Sequence, residues 1–433
     1  MKLGIIGGTD GLGETLVYFF RDDFDICITG TNHEKGRRVA EKLNVSYIES
    51  NTELASISDI LIIAVPIEYT SDVIREVAPF MKSGSLMIDV TSIKEEPSEV
   101  MAEVLPDSVE YIPTHPIFGP RTKRLDNQVI VLTPIKKGKW YDTIYDYFTG
   151  KNMRVIETTP ENHDYMMSIV QILTHFSFIS TAYTLKKLDV DLNETEKYES
   201  PIYNLMIDII ARIVSQNPYL TYNIQSRNSN GPQVRNTFKE AVSELTEVIN
   251  NDDWEKFVDI ALSTTEHMGN ITDALGRSDK AIGALSYEHS FLYDSMGEEV
   301  GLMEIYSSEI HVGILESLNS KTAVLKNGNK REEFRLASVR ILLPFELYRW
   351  KLENSPAKTE AVSCIFPATA NSDIIKETAI KLDNIIDVKL TDVYEGPQID
   401  DDSVKLTFEV KALSKEDIGN VKNMFEAFGG IIK

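Results

Sequence analysis

A glycine-rich turn between the first predicted strand and the first predicted helix constrains the fold more than any other feature of this sequence. A strand is predicted over Lys2–Ile6, and a helix over Gly11–Phe20. In this context, glycines let the backbone approach a pyrophosphate closely, and the helix N-terminus favours the anion. Asp10 occupies the position of the usual middle glycine, so a plain tight turn is the alternative. The candidate dinucleotide-binding residues are Gly7, Gly8, Thr9, Asp10, Gly11, Leu12 and Gly13.

Apolar strands alternate with helices over the first part of the chain. The later strand candidates, separated by helical segments such as Glu34–Leu43, are Asp25–Thr29, Ile60–Ala64, Leu86–Val90, Val109–Ile112 and Gln128–Leu132. Strands that are apolar throughout are typical of a parallel sheet that helices cover on both faces. Residues 1–152 are therefore predicted to form an α/β Rossmann-type domain.

The pattern becomes helical from about Arg154 to Asp294. Apolar residues recur at helical spacing after Pro160 and in three later segments, which are Pro201–Gln216, Gly231–Asn250 and Asp253–Leu275. Long apolar helices of this kind often bury their faces against a second subunit. We therefore predict that residues 153–296 form an all-α dimerisation domain and that the protein is a homodimer.

The remaining sequence predicts two further modules. In residues 297–344, apolar and polar residues alternate with a period of two, and polar turns such as Asn327-Gly328 separate the alternating segments. This pattern is typical of a small β-barrel. Residues 358–433 follow the order strand, helix, strand, strand, helix, strand. That order predicts a ferredoxin-like α+β domain of the βαββαβ type.

Bulk composition excludes several classes of function. A chain of 433 residues is expected to have several domains. Its formal net charge of −23 argues against nucleic acid or an anionic membrane as a partner. No apolar run approaches the roughly 20 residues that span a bilayer, and the N-terminus lacks the features of a signal peptide. Two distant cysteines, Cys27 and Cys364, fit buried free thiols in the cytoplasm.

The end of the second strand bears on cofactor choice. A site specific for NAD usually has an acid here for the ribose 2′-hydroxyl, whereas this chain has Thr31 and Asn32, followed by Lys35, Arg37 and Arg38. Hydroxyl, amide and cationic groups can all contact a 2′-phosphate. The sequence therefore favours NADP over NAD, and a solvated helical turn is the alternative.

Two polar residues follow predicted strands of this domain. His115 lies between prolines just after the apolar run Val109–Ile112, where it suggests a proton acceptor beside a hydride acceptor. Ser92 follows the strand Leu86–Val90, and the carboxyl ends of such strands face the ligand crevice. A helix N-cap is the alternative role for Ser92.

The helical region holds further candidates. His163, Gln171 and His175 lie on its first long helix, with the last two predicted on nearly one face. Arg212 interrupts an otherwise apolar helix, so it either pairs with an acid such as Asp208 or receives an anionic ligand. No carboxylate or cysteine completes a metal-ligand spacing with these residues, so no metal is assigned.

Taken together, these motifs resemble the prephenate dehydrogenase family of tyrosine biosynthesis, in the archaeal form with extra C-terminal modules. The resemblance covers roughly the first 290 residues and includes, in order, Val65-Pro66, Asp89–Lys94, Thr114–Pro120, His163-Asp164, Gln171–Phe176, Ser200–Tyr203 and Arg212. It implies hydride transfer from ring C4 of prephenate to NAD(P)+, with loss of the ring carboxylate as carbon dioxide. Val65 and Pro66 are implied cofactor neighbours.

The resemblance also implies roles for single residues. His115 would deprotonate the C4 hydroxyl, and Ser92 would hydrogen-bond the same group. Lys94 would lie near the ring carboxylate, Arg212 would bind the side-chain carboxylate, and His175 would give polar support. The chain departs from some family members at Asn204, where they have another arginine, so the neutralisation of the remaining substrate charge is open.

Three other functions fit parts of the sequence. Arogenate dehydrogenase has the same chemistry on an amino-acid side chain. Residues Gly7–Gly13 also resemble the turn of deazaflavin-dependent NADP reductases, so another NADP-dependent oxidoreductase is a further alternative. A non-enzymatic role would place the activity in the C-terminal modules, but the retained Ser92 and His115 argue against it.

The last segment resembles the ferredoxin-like anticodon-binding domain of phenylalanyl-tRNA synthetases at Leu390–Gly396. This module is expected to bind an effector such as tyrosine, to add subunit contacts or to contact RNA. The acidic residues Asp400–Asp402 argue against RNA.

Overall fold

The computed structural model describes the backbone of residues 1–433 and all side chains except that of Leu285. The chain divides into two compact units, Met1–Ile271 and Thr272–Lys433. Within the described residues, no helix is both long enough and apolar enough to cross a membrane. Both cysteines, Cys27 and Cys364, are buried free thiols.

The first unit begins with a six-stranded parallel sheet in the order β3-β2-β1-β4-β5-β6. Its strands are β1 (Lys2–Ile6), β2 (Asp25–Thr29), β3 (Ser46–Tyr47), β4 (Ile60–Ile63), β5 (Leu86–Asp89) and β6 (Glu110–Tyr111). The strand order reverses between β1 and β4, which is where doubly wound sheets bind ligands. The predicted Rossmann-type fold is confirmed.

Burial on both faces explains why the strands are apolar throughout. In β4, Ile60 and Ile62 belong to one core cluster, whereas Leu61 and Ile63 belong to another. Successive side chains of a strand point to opposite faces, so each face has its own core. The covering helices are α1 (Gly11–Phe20), α2 (His33–Leu43), α3 (Asn51–Ile57), α4 (Ile67–Val77), α5 (Glu95–Val104) and α6 (Lys139–Gly150).

A second, three-stranded sheet lies in the same unit, in the order β7-β8-β9. Strand β7 (Thr114–Pro116) is antiparallel to β8 (Val129–Leu132), which is parallel to β9 (Arg154–Glu157). The prediction that helical structure begins at about Arg154 is wrong, because this short, partly exposed strand is specified by its distant partner β8. In the same sheet, His115 lies within strand β7.

Helices complete the first unit. They are α7 (Pro160–Met167), a π-helical segment (Ser168–Leu173), α8 (Thr174–Lys187), α9 (Leu192–Thr195), α10 (Pro201–Val214), α11 (Pro218–Arg227), α12 (Gly231–Asn250) and α13 (Trp254–His267). The predicted helix over Asp253–Leu275 ends early, because Gly269 adopts a φ of +70°, as is common after helix C-termini. Helix α11 was not predicted.

The second unit begins near the start of α14 (Ile271–Asp294) and contains a five-stranded antiparallel sheet, ordered β13-β12-β11-β10-β14. These strands are β10 (Glu299–Glu304), β11 (Ile310–Leu318), β12 (Thr322–Asn327), β13 (Lys330–Arg335) and β14 (Val339–Ile341). Leu292 of α14 packs into the core of this sheet. The module predicted as a small barrel is this sheet, and in the described residues the end strands β13 and β14 are not paired.

The C-terminal module follows helix α15 (Pro344–Asn354) and has a four-stranded sheet in the order β16-β17-β15-β18. Its elements are β15 (Lys358–Pro367), α16 (Ser372–Ala379), β16 (Ile385–Tyr394), β17 (Ser403–Ala412), α17 (Lys415–Ala427) and β18 (Ile431–Ile432). The paired strands are antiparallel. This arrangement is the ferredoxin-like βαββαβ plan that the sequence predicts.

Candidate active site

The glycine-rich turn has the geometry of a dinucleotide-binding loop. Gly7 has a φ of +82°, and a Cβ there would lie 2.4 Å from the carbonyl oxygen of Ala64. A Cβ on Gly13 would lie 2.1 Å from the carbonyl oxygen of Gly7, so only glycine permits this packing of α1 against the strand. Gly11 faces open space at the start of α1. The backbone therefore fits a pyrophosphate at the helix N-terminus.

Asp10 is the departure from the usual pattern, and the structure gives it two partners. Its carboxylate accepts a hydrogen bond of 2.8 Å from the backbone N–H of Gly11 and pairs with Lys35. The hydrogen bond with Lys35 is the largest cause of the lowered pKa of Asp10. The loop therefore has one neutralised acid at the helix end that a dinucleotide would approach. The predicted neighbours Val65 and Pro66 follow β4, and a Cβ on Gly7 would lie 3.3 Å from the backbone nitrogen of Val65.

The residues proposed to recognise a 2′-phosphate are exposed but engaged. Asn32 caps α2 by accepting the N–H of Lys35 at 2.9 Å. Arg37 pairs with Glu49, and Thr31 is exposed. Each cation of this loop therefore has an acidic neighbour that a phosphate would have to displace, since Arg38 also lies 4.0 Å from Glu34.

His115 is buried on β7, with 3% of its surface exposed. The preceding residue, Thr114, donates a hydrogen bond of 2.7 Å to the carbonyl oxygen of Asp89, the last residue of β5. This bond holds β7 against the carboxyl end of the parallel sheet. The structure therefore brings His115 close to Lys94 in the loop Thr91–Lys94, which follows β5.

A hydrogen-bonded chain runs from His115 into the helical region. Nδ1 of His115 lies 2.9 Å from Nε2 of His163, and Nδ1 of His163 lies 2.7 Å from Oδ1 of Asp164. The two imidazole rings meet edge to face, with centroids 5.1 Å apart. All three side chains are buried. The chain links β7 to the first turns of α7.

Asp164 also caps the helix that follows the Ser92 loop. Its two carboxylate oxygens accept the backbone N–H groups of Lys94 at 2.7 Å and Glu95 at 3.0 Å, at the N-terminus of α5. A carboxylate at this end of a helix is stabilising. Ser92 is therefore not the N-cap of α5, which is Lys94. Ser92 is half-buried in the loop between β5 and α5.

The structure gives Lys94 a partner other than the predicted substrate carboxylate. Its side chain is fully buried, and its ammonium group binds Asp89 and lies 3.3 Å from Oγ1 of Thr91. Direct contact between Lys94 and a substrate is therefore not supported by this arrangement. Oδ1 of Asp89 is buried and has no hydrogen-bond partner among the described groups.

Burial dominates the electrostatics of these groups. It lowers the pKa of His115 well below the ordinary value, and the neighbouring His163 and Lys94 lower this pKa further. Burial also lowers the pKa of His163, against the opposing hydrogen bond to Asp164. Burial lowers the pKa of Lys94, whereas the neighbouring Asp89 raises it and partly offsets this effect. His115 is consequently neutral near pH 7, which a proton acceptor requires.

His175 lies on α8, directly after the π-helical segment, and is half-buried. Its Nδ1 and the Oε1 of Gln171 are buried atoms without a hydrogen-bond partner among the described groups. Burial lowers the pKa of His175. Short π segments occur frequently at functional sites, and unpaired buried polar atoms are expected where a ligand completes them.

Arg212 is exposed on α10 and forms no salt bridge with any residue that the structure describes. Asp208, the acid proposed as its partner, is likewise exposed on the same helix. The structural alternative, in which the two residues pair, is wrong. Arg212 therefore has a guanidinium group available for an anion, although no described contact joins it to His115.

Sequence reasoning assigned no role to the Asp164 carboxylate or to His163 as a partner of His115. The signal was present as a His-Asp pair in the first turn of a helix. The contact joins residues 48 positions apart, and their pairing depends on how α7 packs, which local sequence does not reveal.

The absence of a metal was predicted from spacing in the helical region. In the second unit, Glu304, Glu309 and His311 offer ligand atoms within 4.8 Å of one another. Nε2 of His311 lies 3.5 Å from Oε1 of Glu304 and has no hydrogen-bond partner among the described groups.

Comparisons with known proteins agree with this geometry. The nucleotide-binding domain of prephenate dehydrogenase matches residues 19–157, and the dimerization domain of prephenate dehydrogenase matches residues 159–262. The chain is 38% identical to a Methanocaldococcus jannaschii protein described as a probable arogenate/prephenate dehydrogenase, over 98% of this chain and 96% of the relative. It is 27% identical to the T-protein of Haemophilus influenzae over 50% of this chain and 57% of that protein.

A solved structure shows the same fold. The crystal structure of Aquifex aeolicus prephenate dehydrogenase with hydroxyphenyl propionate and NAD+ superposes with a TM-score of 0.53 at 18% identity, covering 63% of this chain and 98% of that one. Two matched domains, a relative aligned over nearly the whole chain and a buried histidine at the carboxyl edge of a doubly wound sheet lead to one conclusion. This chain belongs to the prephenate dehydrogenase family of NAD(P)-dependent oxidoreductases.

Proposed function

We propose that this protein oxidises prephenate to 4-hydroxyphenylpyruvate and carbon dioxide, with NAD(P)+ as the oxidant. The observation that supports this proposal most strongly is the buried, neutral His115, which hydrogen-bonds through Nδ1 and lies beside the Ser92 loop at the carboxyl edge of the sheet. A positioned histidine with one free ring nitrogen can accept a proton.

A bound nicotinamide supplies the acceptor for the hydride that leaves ring C4 of prephenate. His115 accepts the proton of the C4 hydroxyl, so the carbon–oxygen bond becomes a carbonyl. The bond from C1 to the ring carboxylate then breaks, and its electron pair enters the ring as carbon dioxide departs. The ring oxygen takes back a proton and becomes a phenol, so the step requires no further reactant.

The other site residues position the substrate. Ser92 donates a hydrogen bond to the C4 hydroxyl oxygen, and the exposed Arg212 binds the side-chain carboxylate. His175 and Gln171 provide the unpaired polar atoms that the substrate completes. Lys94 acts indirectly, through its pair with Asp89, because its buried ammonium group is already engaged.

Arogenate is the second candidate substrate, because the archaeal relative is described by both activities. The two molecules differ only in the side chain, which is a keto acid in prephenate and an amino acid in arogenate. Steady-state assays that cross prephenate and arogenate with NAD+ and NADP+ test the proposal. Reduction of the cofactor with matching release of carbon dioxide supports it, and no turnover in any of the four combinations refutes it.

NADP+ is the cofactor that we favour. The loop after β2 lacks an acid for the ribose 2′-hydroxyl and presents Arg37 and Lys35. The pairing of Arg37 with Glu49 weakens this preference, since a 2′-phosphate must compete with that carboxylate. The same crossed assay determines the ratio of kcat/KM for the two cofactors.

We further propose that the active form is a homodimer. Among the described side chains of α8 and α13, none is buried, and large apolar residues such as Leu262 (64% exposed) and Trp254 (67% exposed) cover α13. Several large apolar side chains exposed on one helix favour a subunit interface. Light scattering should give the mass of a dimer, and Leu262→Glu should shift it towards the monomer while Thr264→Glu on the same helix does not.

The C-terminal modules are proposed to regulate the enzyme or add subunit contacts, with tyrosine as the candidate effector. The residues assigned to chemistry all lie in the first unit. Nucleic acid is an unsuitable partner for a chain of net charge −23. A tyrosine response of the full chain that disappears on removal of residues 298–433 would support regulation. Two buried free thiols are consistent with a cytoplasmic location.

A further inference from the structure

We infer that His163 and Asp164 are positioning residues that hold His115 in the tautomer with its proton on Nδ1, leaving Nε2 free to accept the substrate proton. This inference rests on the proposed role of His115 as the base. It concerns two residues that do not themselves touch the substrate in the proposed chemistry.

Asp164 is the fixed acceptor at one end of the chain. Its two oxygens receive the backbone N–H groups of Lys94 and Glu95, which can only donate. Two such donors at the N-terminus of α5 make the carboxylate the acceptor at this end of the hydrogen-bonded series. The proton between Asp164 and His163 is therefore assigned to Nδ1 of His163, which lies 2.7 Å from Oδ1 of Asp164.

His163 is therefore an acceptor at its other nitrogen. A neutral imidazole with its proton on Nδ1 has a lone pair on Nε2. Burial lowers the pKa of His163, which keeps the ring neutral near pH 7. The ring is 1% exposed, so water does not compete for this lone pair.

The geometry then fixes the proton of His115. The distance of 2.9 Å between the two ring nitrogens is that of a hydrogen bond, and only His115 can donate it. Its proton is consequently on Nδ1, and its Nε2 carries the lone pair. The opposite tautomer would place a proton on the nitrogen that must act as base, and two facing lone pairs would repel.

The same carboxylate positions the loop that carries Ser92. By capping α5, Asp164 anchors the segment after Ser92, while through His163 it orients the ring of His115. Lys94 and Asp89 also lie close to these hydrogen-bonded side chains. Because the two residues form an ion pair with each other, they add little net charge near the imidazole rings. Asp164 thus couples the orientation of the base to the position of its proposed hydroxyl partner.

Nitrogen-15 NMR of imidazole-labelled full-length protein tests the tautomer directly. His115 should show a protonated Nδ1 and an unprotonated Nε2 at pH 7.5, assigned by loss of its signals in His115→Asn. Observation of the reverse tautomer in the wild-type protein overturns the inference. This measurement requires no substrate, so it is independent of the proposed function.

Kinetics separate positioning from a purely structural role. His163→Leu removes the acceptor and should lower kcat about a hundredfold with little change in KM, given that a positioned base contributes about 10²–10⁴-fold. His163→Gln retains an oxygen that accepts from Nδ1 and should recover kcat to within about tenfold of wild type. The exposed His267→Gln is the control that retains full activity.

An equal loss of kcat in the leucine and glutamine variants would show that the shape of the ring matters and that its hydrogen-bond acceptor does not, which would overturn the inference. A normal kcat in both variants would also overturn it. If the leucine variant does not fold, the glutamine variant and the wild-type spectrum decide. If the wild type itself turns over neither prephenate nor arogenate, the proposed function fails while the spectrum still tests the tautomer.

Discussion

Two regions lie at the carboxyl edge of the same parallel sheet, yet they are constructed differently. The turn Gly7–Gly13 is a contiguous stretch in which backbone groups and missing side chains provide the site. The cluster around His115 consists of buried side chains from β7, the β5–α5 loop and α7. The backbone site depends on close packing, whereas each hydrogen bond of the buried side-chain cluster requires its proton to be on one particular atom.

The largest expected effect lies in the side-chain cluster. His115→Asn keeps hydrogen bonding but cannot accept the substrate proton, so turnover should fall by about 10²–10⁴-fold. Cofactor affinity should remain near that of the wild type, because the glycine turn is unchanged. Steady-state kinetics and cofactor titration measure both quantities. Turnover close to that of the wild type would remove His115 from the mechanism.

A matching change in the backbone site should affect the cofactor instead. Gly13→Ala places a Cβ 2.1 Å from the carbonyl oxygen of Gly7, so the turn must shift. A displacement of about 1 Å can cost roughly a hundredfold, and we expect the KM for the cofactor to rise by about that factor. Gly150→Ala, at a helical glycine with no atom near the added methyl, is the control. An unchanged cofactor KM would argue against binding at this turn.

Arg212 tests whether a residue outside both regions binds the substrate. A hydrogen bond to a charged group is worth about 1.5–3 kcal/mol, so Arg212→Ala should raise the KM for prephenate by about ten- to a hundredfold. Asp208→Ala, an equally exposed position on the same helix, should leave it unchanged. If Arg212→Ala mainly lowers the free energy of unfolding, the residue has a structural role.

The smallest expected effect concerns cofactor choice. Arg37 is exposed and its charge is shared with Glu49, so its contribution to a 2′-phosphate contact is screened. Arg37→Ala should weaken NADP+ by no more than about tenfold and leave NAD+ unaffected. Fluorescence titration with both cofactors measures this ratio. An equal loss for both cofactors would show that the residue supports the loop and does not select the phosphate.

The comparison also explains what the sequence could predict. Apolar strands, helix starts and the glycine turn are local patterns, and the sheet order and the ferredoxin-like module confirm the fold expected from them. Strand β9 was missed because Arg154–Glu157 becomes a strand only through pairing with β8. The π-helical segment has no sequence signature of its own.

Within the site, the locations of the side chains were easier to predict than their hydrogen-bond and ion-pair partners. Ser92 and His115 were each placed after a predicted strand, and the bond from Thr114 to the carbonyl oxygen of Asp89 brings these two segments together. The internal pairing of Lys94 with Asp89 was not anticipated, since a lysine after a strand resembles a ligand for an anion. His163 and Asp164 were visible as a motif, but their contact with His115 depends on tertiary packing.

The pH dependence of kcat/KM for prephenate tests most directly whether the buried histidine is the base. This ratio reports the ionisation of essential groups in the free enzyme. Burial lowers the pKa of His115 well below its ordinary value of 6.5. A base must be unprotonated, so kcat/KM should be level above pH 6.5 and fall only at more acidic pH, and this acid limb should be absent in His115→Asn. An acid limb centred above pH 6.5, or one that persists unchanged in the variant, would contradict the account.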